Sequence, residues 1–508
     1  MARRAGALIA AGLAALTLVP VAVVMMQAGG RGVSAPDLAA LRFTLVQAAL
    51  SALASVACAV PLARALARRR FPGRAVLIVM LGAPFLLPVI VAVLGLLAVF
   101  GRAGVFNSAL RGIGLPEVSI FGLGGVVLAH VFLNMPLATR MLLQGWQAIP
   151  AERVRLAESL GFGPRDHWCH IERPMLRAVL PGALLAIFAI CLTSFAVVLV
   201  LGGGPSATTV ELAIWQAIRF EFDLPRAASL AVLQVLACGM AVGVAGLFTS
   251  ASGFGAGLDR AMDLPAPGGW RRGVDAAVIA MAVLFLAAPM LAVLQRGVPG
   301  LLSLPASIWS AALASLIVAL LAAPMAVGAA LALALGRAQG SRWLEPMAML
   351  PMAGSQLVLG TGLFLIAFPF IAPPRIALPI TVLVTAVMAL PFAYRILAPQ
   401  ARSLQADYGR LAASLDLRGW AALRLLIIPR LRRPLGFALG LCAALAAGDL
   451  GVVALFATED GVTLPLAISR LMGAYRMTQA AGAALVLVAL AFGLFWICDR
   501  WGHGGTAD

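Results

Sequence analysis

AERVRLAESLGFGPRDHWCHIERP, at residues 151–174, and ADYGRLAASLDLRGWAALRLLIIP, at residues 406–429, share one pattern. Each begins as an amphipathic helix, with Val154, Ala157 and Leu160 on one face of the first copy. A break follows, then a second short helix, then a proline before the next apolar run. The copies lie 255 residues apart, and each is flanked by apolar runs of the about 20 residues that cross a bilayer as a helix. The pattern predicts a membrane protein with an internal repeat.

The composition places most of the chain in lipid. Hydrophobic residues make up 62% of the 508 residues and charged residues 11%, against about 45–50% and about 25% in ordinary globular domains. A soluble fold cannot bury that much apolar surface. We therefore predict an all-α polytopic membrane protein with about twelve transmembrane helices. They are expected near residues 6–27, 43–66, 75–100, 121–143, 178–201, 227–249, 274–294, 309–335, 347–371, 376–398, 435–457 and 478–498.

Arginine placement predicts the orientation of these helices. The net charge is +17, and all 37 basic residues are arginine. They lie between apolar runs, which indicates retention on the cytoplasmic side of a membrane rather than nucleic-acid binding. Most of them fall on the cytoplasmic side if both termini are cytoplasmic. Arg3 and Arg4 precede an apolar run that reaches Met26, longer than a signal peptide requires, so we expect a retained first helix.

A second pair of motifs extends the repeat. Pro136 and Arg140, in MPLATR, match Pro391 and Arg395, in LPFAYR, again 255 residues apart. Upstream the separation widens to about 267 residues, so the second half lacks about a dozen residues in the outer loop between its third and fourth helices. Six helices in each half give both halves one orientation, which predicts two parallel six-helix repeats.

These patterns divide the chain into five predicted parts. They are 1–40, the first transmembrane helix and outer loop; 41–249, the first repeat; 250–305, a linker and the seventh helix; 306–498, the second repeat; and 499–508, a cytoplasmic tail.

The paired stretches at 151–174 and 406–429 have two possible roles. One is an amphipathic hairpin on the membrane surface. The other is a pair of docking elements for a cytoplasmic partner that offers two equivalent sockets. The second interpretation is favoured because the two copies are related by the internal repeat.

These stretches resemble the EAA loop of ABC importer permeases, in which EAA is followed by three residues, a glycine, and then a hydrophobic residue and a proline. The first copy matches at Ala157, Gly161, Ile171 and Pro174, and the second at Ala412, Leu426 and Pro429. The copies depart from it at Arg155 and Arg410, in place of glutamate, and at Asp416, in place of glycine. The resemblance implies that residues 155–174 and 410–429 dock two copies of an ABC ATPase subunit.

Further segments resemble the permeases of thiamine and thiamine pyrophosphate importers. They are RRRFPGR at 68–74, LAHVFLNMPLATRMLLQ at 128–144, LGGGPSATTVELAIWQAI at 201–218, RAASLA at 226–231 and GDLGVVALF at 448–456. This resemblance implies a bacterial inner-membrane permease that receives thiamine from a periplasmic binding protein. It also implies that the outer loop with Glu211 meets that protein. Ferric-iron permeases are the alternative within the same class.

No site for energy conversion is visible in the chain. A P-loop requires lysine, which the sequence lacks, so ATP and Mg²⁺ are expected on the separate ATPase subunit. We expect no catalytic residue, bound cofactor or metal site in this chain. The four histidines and six cysteines show no metal-ligand spacing. An ion-coupled secondary transporter is less favoured, because it would need ionisable residues within its helices.

Asp449, in LAAGDLGVVAL, is nearly alone as an acid inside a predicted transmembrane helix, and its repeat counterpart is Ser194. An acid at membrane depth usually faces a cavity or a partner. The two residues are therefore candidates for the transport pathway or its gate. A shared structural or gating role for Asp449 is favoured over a contact specific to the thiazolium of thiamine.

Overall fold

The computed structural model describes residues 2–29, 32–82, 86–204, 207–248, 269–371, 373–456 and 462–503. Over these ranges the chain forms helices and no strands, which confirms the predicted all-α class. Much of the predicted linker and the end of the predicted tail, at 249–268 and 504–508, lie outside the described residues.

The helices of the first half follow the predicted transmembrane segments. They are α1 (Ala2–Gln27), α2 (Ala35–Arg68), α3 (Arg74–Met80), α4 (Val89–Phe100), α5 (Val105–Gly112), α6 (Leu123–Gln147), α7 (Ala151–Ser159), α8 (Pro164–His167), α9 (Arg173–Leu192), α10 (Phe195–Leu201), α11 (Val210–Gln216) and α12 (Leu224–Phe248). Two π-helical segments, Trp168–Glu172 and Ala217–Glu221, adjoin α8 and α11.

The second half repeats most of these elements in the same order. Its helices are α13 (Trp270–Leu301), α14 (Ala306–Ala338), α15 (Leu344–Met349), α16 (Gln356–Ala367), α17 (Pro373–Ser414), α18 (Gly419–Ala422), α19 (Ile428–Ala447), α20 (Gly451–Phe456), α21 (Leu464–Gly473) and α22 (Met477–His503). A 3₁₀ turn, Leu350–Ala353, follows α15, and a π-helical segment, Leu423–Ile427, follows α18.

The number of membrane-spanning helices agrees with the prediction. In the described ranges, eleven helices are long and apolar enough to cross a bilayer, and a bent pair, Leu344–Met352 with Gln356–Ala367, makes up to twelve. Three consecutive elements have the same boundaries in both halves after a shift of 255 residues. They are the short helices α8 and α18, the π-helical segments that follow them, and the helices α9 and α19. The structure thus confirms two parallel six-helix repeats.

The first half holds the extra outer segment that the changing offset predicts. Helix α5 lies in it and has no counterpart among the described residues between α16 and α17. Buried Asn107 fastens this segment, because its amide donates to the carbonyl oxygens of Gly101 and Val118 at 3.0 Å and accepts from the Val118 amide at 2.9 Å.

The two halves differ where α6 leads into the loop. In the first half Pro150 is the N-cap of α7, and residues 148–150 separate α7 from α6. The matching residue in the second half is Gln405, and α17 runs through it without a break for 42 residues. Gln405 supplies the backbone amide that Pro150 lacks, but proline alone does not end these helices, since α17 also runs through Pro391 and Pro399. The predicted end of the tenth helix at residue 398 is therefore too early.

The first helix of each half packs against the other half. Helix α1 contacts α14 and α16, and α13 contacts α2 and α4. Glycines permit both crossings: a Cβ on Gly362 would lie 2.5 Å from the Pro20 carbonyl oxygen, and one on Gly95 would lie 2.7 Å from that of Pro289. Close approach at small residues is the usual way in which helices pack in lipid. The exchanged helices join the two halves, and the larger of the two hydrophobic clusters contains residues of both halves.

Candidate functional site

Two helix breaks occupy equivalent places in the halves. Helix α9 ends at Leu192 and α10 begins at Phe195, while α19 ends at Ala447 and α20 begins at Gly451. Ser194 lies in the first break and Asp449 in the second. Irregular backbone at membrane depth is tolerated where it is buried in protein or lines a cavity. The breaks are therefore the places in the bundle where polar side chains and backbone meet.

The same hydrogen-bond pairing recurs at both breaks. His130 Nε2, on α6, lies 2.6 Å from Ser194 Oγ. Thr385 Oγ1, on α17, donates to Asp449 Oδ2 at 3.1 Å. Each pair is separated by 64 residues in sequence. The structure therefore brings Ser194 and Asp449 to equivalent positions, as the repeat predicted.

His130 is a contact that sequence reasoning missed. Its ring is buried, and Nδ1 lies 2.9 Å from Ser51 Oγ on α2, so the imidazole joins α2, α6 and the first break. A search for metal ligands discards a lone histidine. Thr385 lies 255 residues after His130. Alignment of the two repeats would therefore have identified His130 as its counterpart. Asp449 has a second partner in its own break, because the Gly451 amide donates to Oδ1 at 3.1 Å.

Glu211 lies in the protein interior, not in an outer loop as predicted. It is on α11, and only 2% of it is exposed. Its carboxyl group lies near the Ser355 hydroxyl and near Asp449, whose negative charge acts unfavourably on it. Ser355 is the N-cap of α16, so Glu211 of the first half meets two polar residues of the second. Over the described residues, Glu211 Oε1 has no hydrogen-bond partner.

Helix α11 also inserts an aromatic side chain between the halves. The Trp215 indole N–H donates to the Ala454 carbonyl oxygen at 3.0 Å. Its ring lies 6.1 Å from that of Phe195 and 5.0 Å from that of Phe220, measured between centroids. Trp215 is one helical turn from Glu211, so both lie on one side of α11. The helix thus presents an acid and an aromatic ring to the second half.

Both α11 and its counterpart α21 are anchored in the same way. The Val210 amide donates to Thr44 Oγ1 at 2.9 Å, and the Leu464 amide donates to Ser315 Oγ at 2.9 Å. Pro465 occupies the place in α21 that Glu211 occupies in α11. The scaffold is therefore symmetric, whereas the acid on it is not.

The two stretches proposed to dock a partner have matching turns. Gly161 has a φ of +68° and Asp416 a φ of +48°, so the two residues take the left-handed conformation at matching positions. A short helix and a π-helical segment follow in each stretch, at the same 255-residue offset. Such π-helical segments are frequent at functional sites.

The predicted docking residues divide into exposed and buried groups. The exposed ones are Arg155, Gly161, Pro174, Arg410, Asp416 and Pro429; Ala157 and Ile171 are buried, and Ala412 and Leu426 are half-buried. Val154 and Ala157, predicted to share one helix face with Leu160, are buried, whereas Leu160 follows the end of α7 at Ser159 and is 63% exposed. Four leucines instead form two matching exposed pairs, Leu156 with Leu160 and Leu411 with Leu415.

An ion-pair cluster fastens the first stretch to α2. Glu172 is buried, and its carboxylate accepts from Arg64 Nε at 2.7 Å and also from Arg68. The Arg64 guanidinium lies over the Trp168 ring, 4.6 Å from its centroid. In the second stretch Ile427 takes the place of Glu172. The first stretch is therefore tied to α2 by charge, and the second lacks this carboxylate.

Comparison with known proteins gives several long matches. No family model matches the chain. The chain is 40% identical over 473 residues to the thiamine transport system permease protein of Escherichia coli K12, covering 91% of this chain and 88% of that protein. It is 37% identical over 514 residues to the protein of that name from Brucella abortus 2308, covering 98% and 94%. A molybdenum transport system permease protein of Azotobacter vinelandii is 30% identical over 178 residues, 35% of this chain and 78% of that protein.

Fold and relatives together define the class as a multi-pass inner-membrane permease of the ABC importer type. Within that class, the chain belongs to the family of thiamine transport system permease proteins.

Proposed function

We propose that this chain is the membrane subunit that passes thiamine and its phosphates from a periplasmic binding protein into the cytoplasm. The observation that carries this is 40% identity over 91% of the chain to a permease named for thiamine transport. The chemistry of the interior is compatible with it, since thiamine contains a positively charged thiazolium ring and Asp449 and Glu211 are carboxylic acids at the meeting of the halves.

Two copies of a separate ATPase would bind the stretches at 151–174 and 406–429, with both chain termini on the cytoplasmic side. The arginine distribution supports this orientation. The matching exposed leucine pairs support two equivalent docking sites. ATP and Mg²⁺ would be held by the ATPase.

Continuous helices would carry movement from these docking stretches to the two breaks. The apolar spans Pro164–Leu192 and Gly419–Leu455 start inside the docking stretches. The first ends beside Ser194, and the second contains Asp449. A displacement of either stretch by the ATPase would therefore reach its break through one helix. On this basis we propose that Ser194 and Asp449 belong to the gate.

Reconstitution tests the function. The chain is co-expressed with the ATPase and binding protein from the same genome, placed in proteoliposomes, and assayed for ATP hydrolysis and uptake. We expect the thiamine-loaded binding protein to stimulate hydrolysis and labelled thiamine to accumulate only with ATP. Stimulation by ferric iron but not by thiamine would overturn the proposal in favour of an iron permease. Accumulation of thiamine without ATP would indicate a secondary transporter.

A further inference from the structure

We propose that Glu211 and Asp449 form a binding site for a flat organic monocation in the transport pathway. This inference rests on the proposed function and would assign the thiazolium ring of thiamine to these two acids. The site is built between the halves, since Glu211 belongs to α11 in the first half and Asp449 to the α19–α20 break in the second.

The charge of the proposed site favours a cation. Trp215, one turn after Glu211, donates to the Ala454 carbonyl oxygen at 3.0 Å, which places this face of α11 against the helix that follows Asp449. The two carboxyl groups interact unfavourably with each other. Across the described residues, neither forms an ion pair with an arginine or a histidine. Glu211 Oε1, in a residue that is 98% buried, has no hydrogen-bond partner there either. Uncompensated charge in a protein interior is unfavourable, so a cation that entered between the two acids would be stabilised.

The aromatic side chains beside the proposed site favour a flat ligand. Trp215 lies one turn from Glu211 on α11, and its ring packs beside Phe195, the residue that follows Ser194. Carboxylates next to aromatic rings favour a flat, delocalised cation, since the ring faces attract positive charge. The hydroxyl groups of Ser355 and Thr385 adjoin the two carboxyl groups and add oxygen acceptors for a polar substituent.

The two acids of the proposed site are not repeated at the equivalent positions of the other half. The repeat counterparts of Glu211 and Asp449 are Pro465 and Ser194, which carry no acid. A symmetric arrangement would create two equivalent sites about the axis that relates the halves. Because only one member of each pair is acidic, the charge is confined to one place, as a single small cargo molecule requires.

The path into this site starts at Asp449. Asp449 is partly exposed although it lies within the span Gly419–Leu455, whereas Glu211 is closed off. A cation would therefore meet Asp449 first and reach Glu211 after α11 moves relative to the second half. Movement of the break would couple binding to the gate.

The test compares charged and neutral cargo in the complete reconstituted transporter. The probes are thiamine and an analogue in which a neutral thiophene ring replaces the thiazolium. The variants are Glu211→Gln and Asp449→Asn. Since the same binding protein delivers both probes, a change in their uptake ratio reports on the membrane subunit. We expect each variant to lower the thiamine-to-analogue ratio by about tenfold or more, as loss of a charge-assisted contact implies.

The matched control is Glu345→Gln. It also removes one carboxylate from the second half, but Glu345 is half-exposed and pairs with Arg337 at 2.9 Å. We expect its uptake ratio to equal that of the unmodified protein. Assembly of every variant with the ATPase is measured by co-purification. If Asp449→Asn does not assemble, Thr385→Val provides the second readout, because it removes the donor to Asp449 and keeps the side-chain shape.

Equal loss of both probes in the Glu211 and Asp449 variants would show a structural role and overturn the inference. An unchanged ratio in assembled variants would do the same while leaving thiamine transport intact. If the unmodified transporter responds to ferric iron and not to thiamine, the proposed function itself fails. The failure of one proposal is thereby distinguished from the failure of the other.

Discussion

At the residue scale, one backbone conformation recurs in both docking stretches with different side chains. Gly161 takes a positive φ without strain, whereas an aspartate at Asp416 takes it at a cost of about 1–2 kcal/mol. A Cβ on Gly161 would meet no atom of the described residues within 4 Å, so a substitution there is expected to act through the backbone and not through a clash. The sequence motif places the glycine correctly, but only the structure shows that Asp416 adopts the same turn.

Gly161→Leu should therefore weaken ATPase docking, because leucine disfavours the left-handed turn that ends α7. We expect less co-purified ATPase and slower uptake than with Gly163→Leu, whose backbone φ of −74° suits any residue. In the second stretch, Asp416→Gly should raise the melting temperature slightly and preserve docking. Wild-type ATPase association in Gly161→Leu would count against the docking role.

Glu211 shows where residue-level prediction stops. The sequence of TVELAI predicts the apolar end of an outer loop. The pattern of polar and apolar residues does not indicate whether such a loop folds back into the protein interior. The single acid in an apolar run was the available signal, as it was for Asp449. Its neighbours Ser355 and Asp449 lie far away in sequence, so their approach across the halves requires the three-dimensional packing.

At the element scale, α1 and α13 each pack against the other half at a glycine, which is Gly362 for α1 and Gly95 for α13. These two contacts can be tested by their effect on thermal stability. Gly362→Ala would place a Cβ 2.5 Å from the Pro20 carbonyl oxygen and force α1 and α16 apart. Overpacking of this kind costs about 1–3 kcal/mol. The control is Gly328→Ala on α14, where an added Cβ meets nothing within 4 Å in the part of the chain that the structure describes. We expect a lower melting temperature for Gly362→Ala in detergent and an unchanged or higher one for Gly328→Ala. Equal melting temperatures would contradict the crossing.

The ion-pair cluster at Glu172 predicts unequal docking stretches. Glu172→Gln leaves Arg64 and Arg68 without their carboxylate and should loosen the first stretch, since breaking a buried pair costs about 3–5 kcal/mol. We expect weaker ATPase stimulation by the loaded binding protein. A double-mutant cycle of Arg68→Met, Glu172→Leu and the two together measures the coupling of this pair, and the double variant should recover part of the loss caused by Glu172→Leu alone. Full stimulation in Glu172→Gln would refute a role for the cluster.

At the scale of the whole molecule, hydropathy and arginine placement predict the helix count, and the repeated motifs predict two parallel halves. The exchange of α1 and α13 between the halves was not predictable in that way. Lipid is as apolar as the helix surfaces, so an apolar pattern identifies a transmembrane helix without identifying its neighbour. Gly95 and Gly362 allow particular helices to pack closely together. A glycine in the sequence of a helix, however, does not indicate which other helix will pack against it.

Because each half supplies a helix to the other, the chain should behave as a fused dimer. We expect fragments 1–260 and 261–508, expressed together, to co-purify through one affinity tag and to retain ATP-dependent uptake. Gly95→Ala combined with Gly362→Ala should reduce the co-purified fraction, since both crossings would be overpacked. Gly328→Ala should leave it unchanged. Recovery of each fragment alone, folded and without its partner, would mean that the contacts of α1 and α13 contribute little to the joint core, and the halves would then be held together chiefly by the chain that links them.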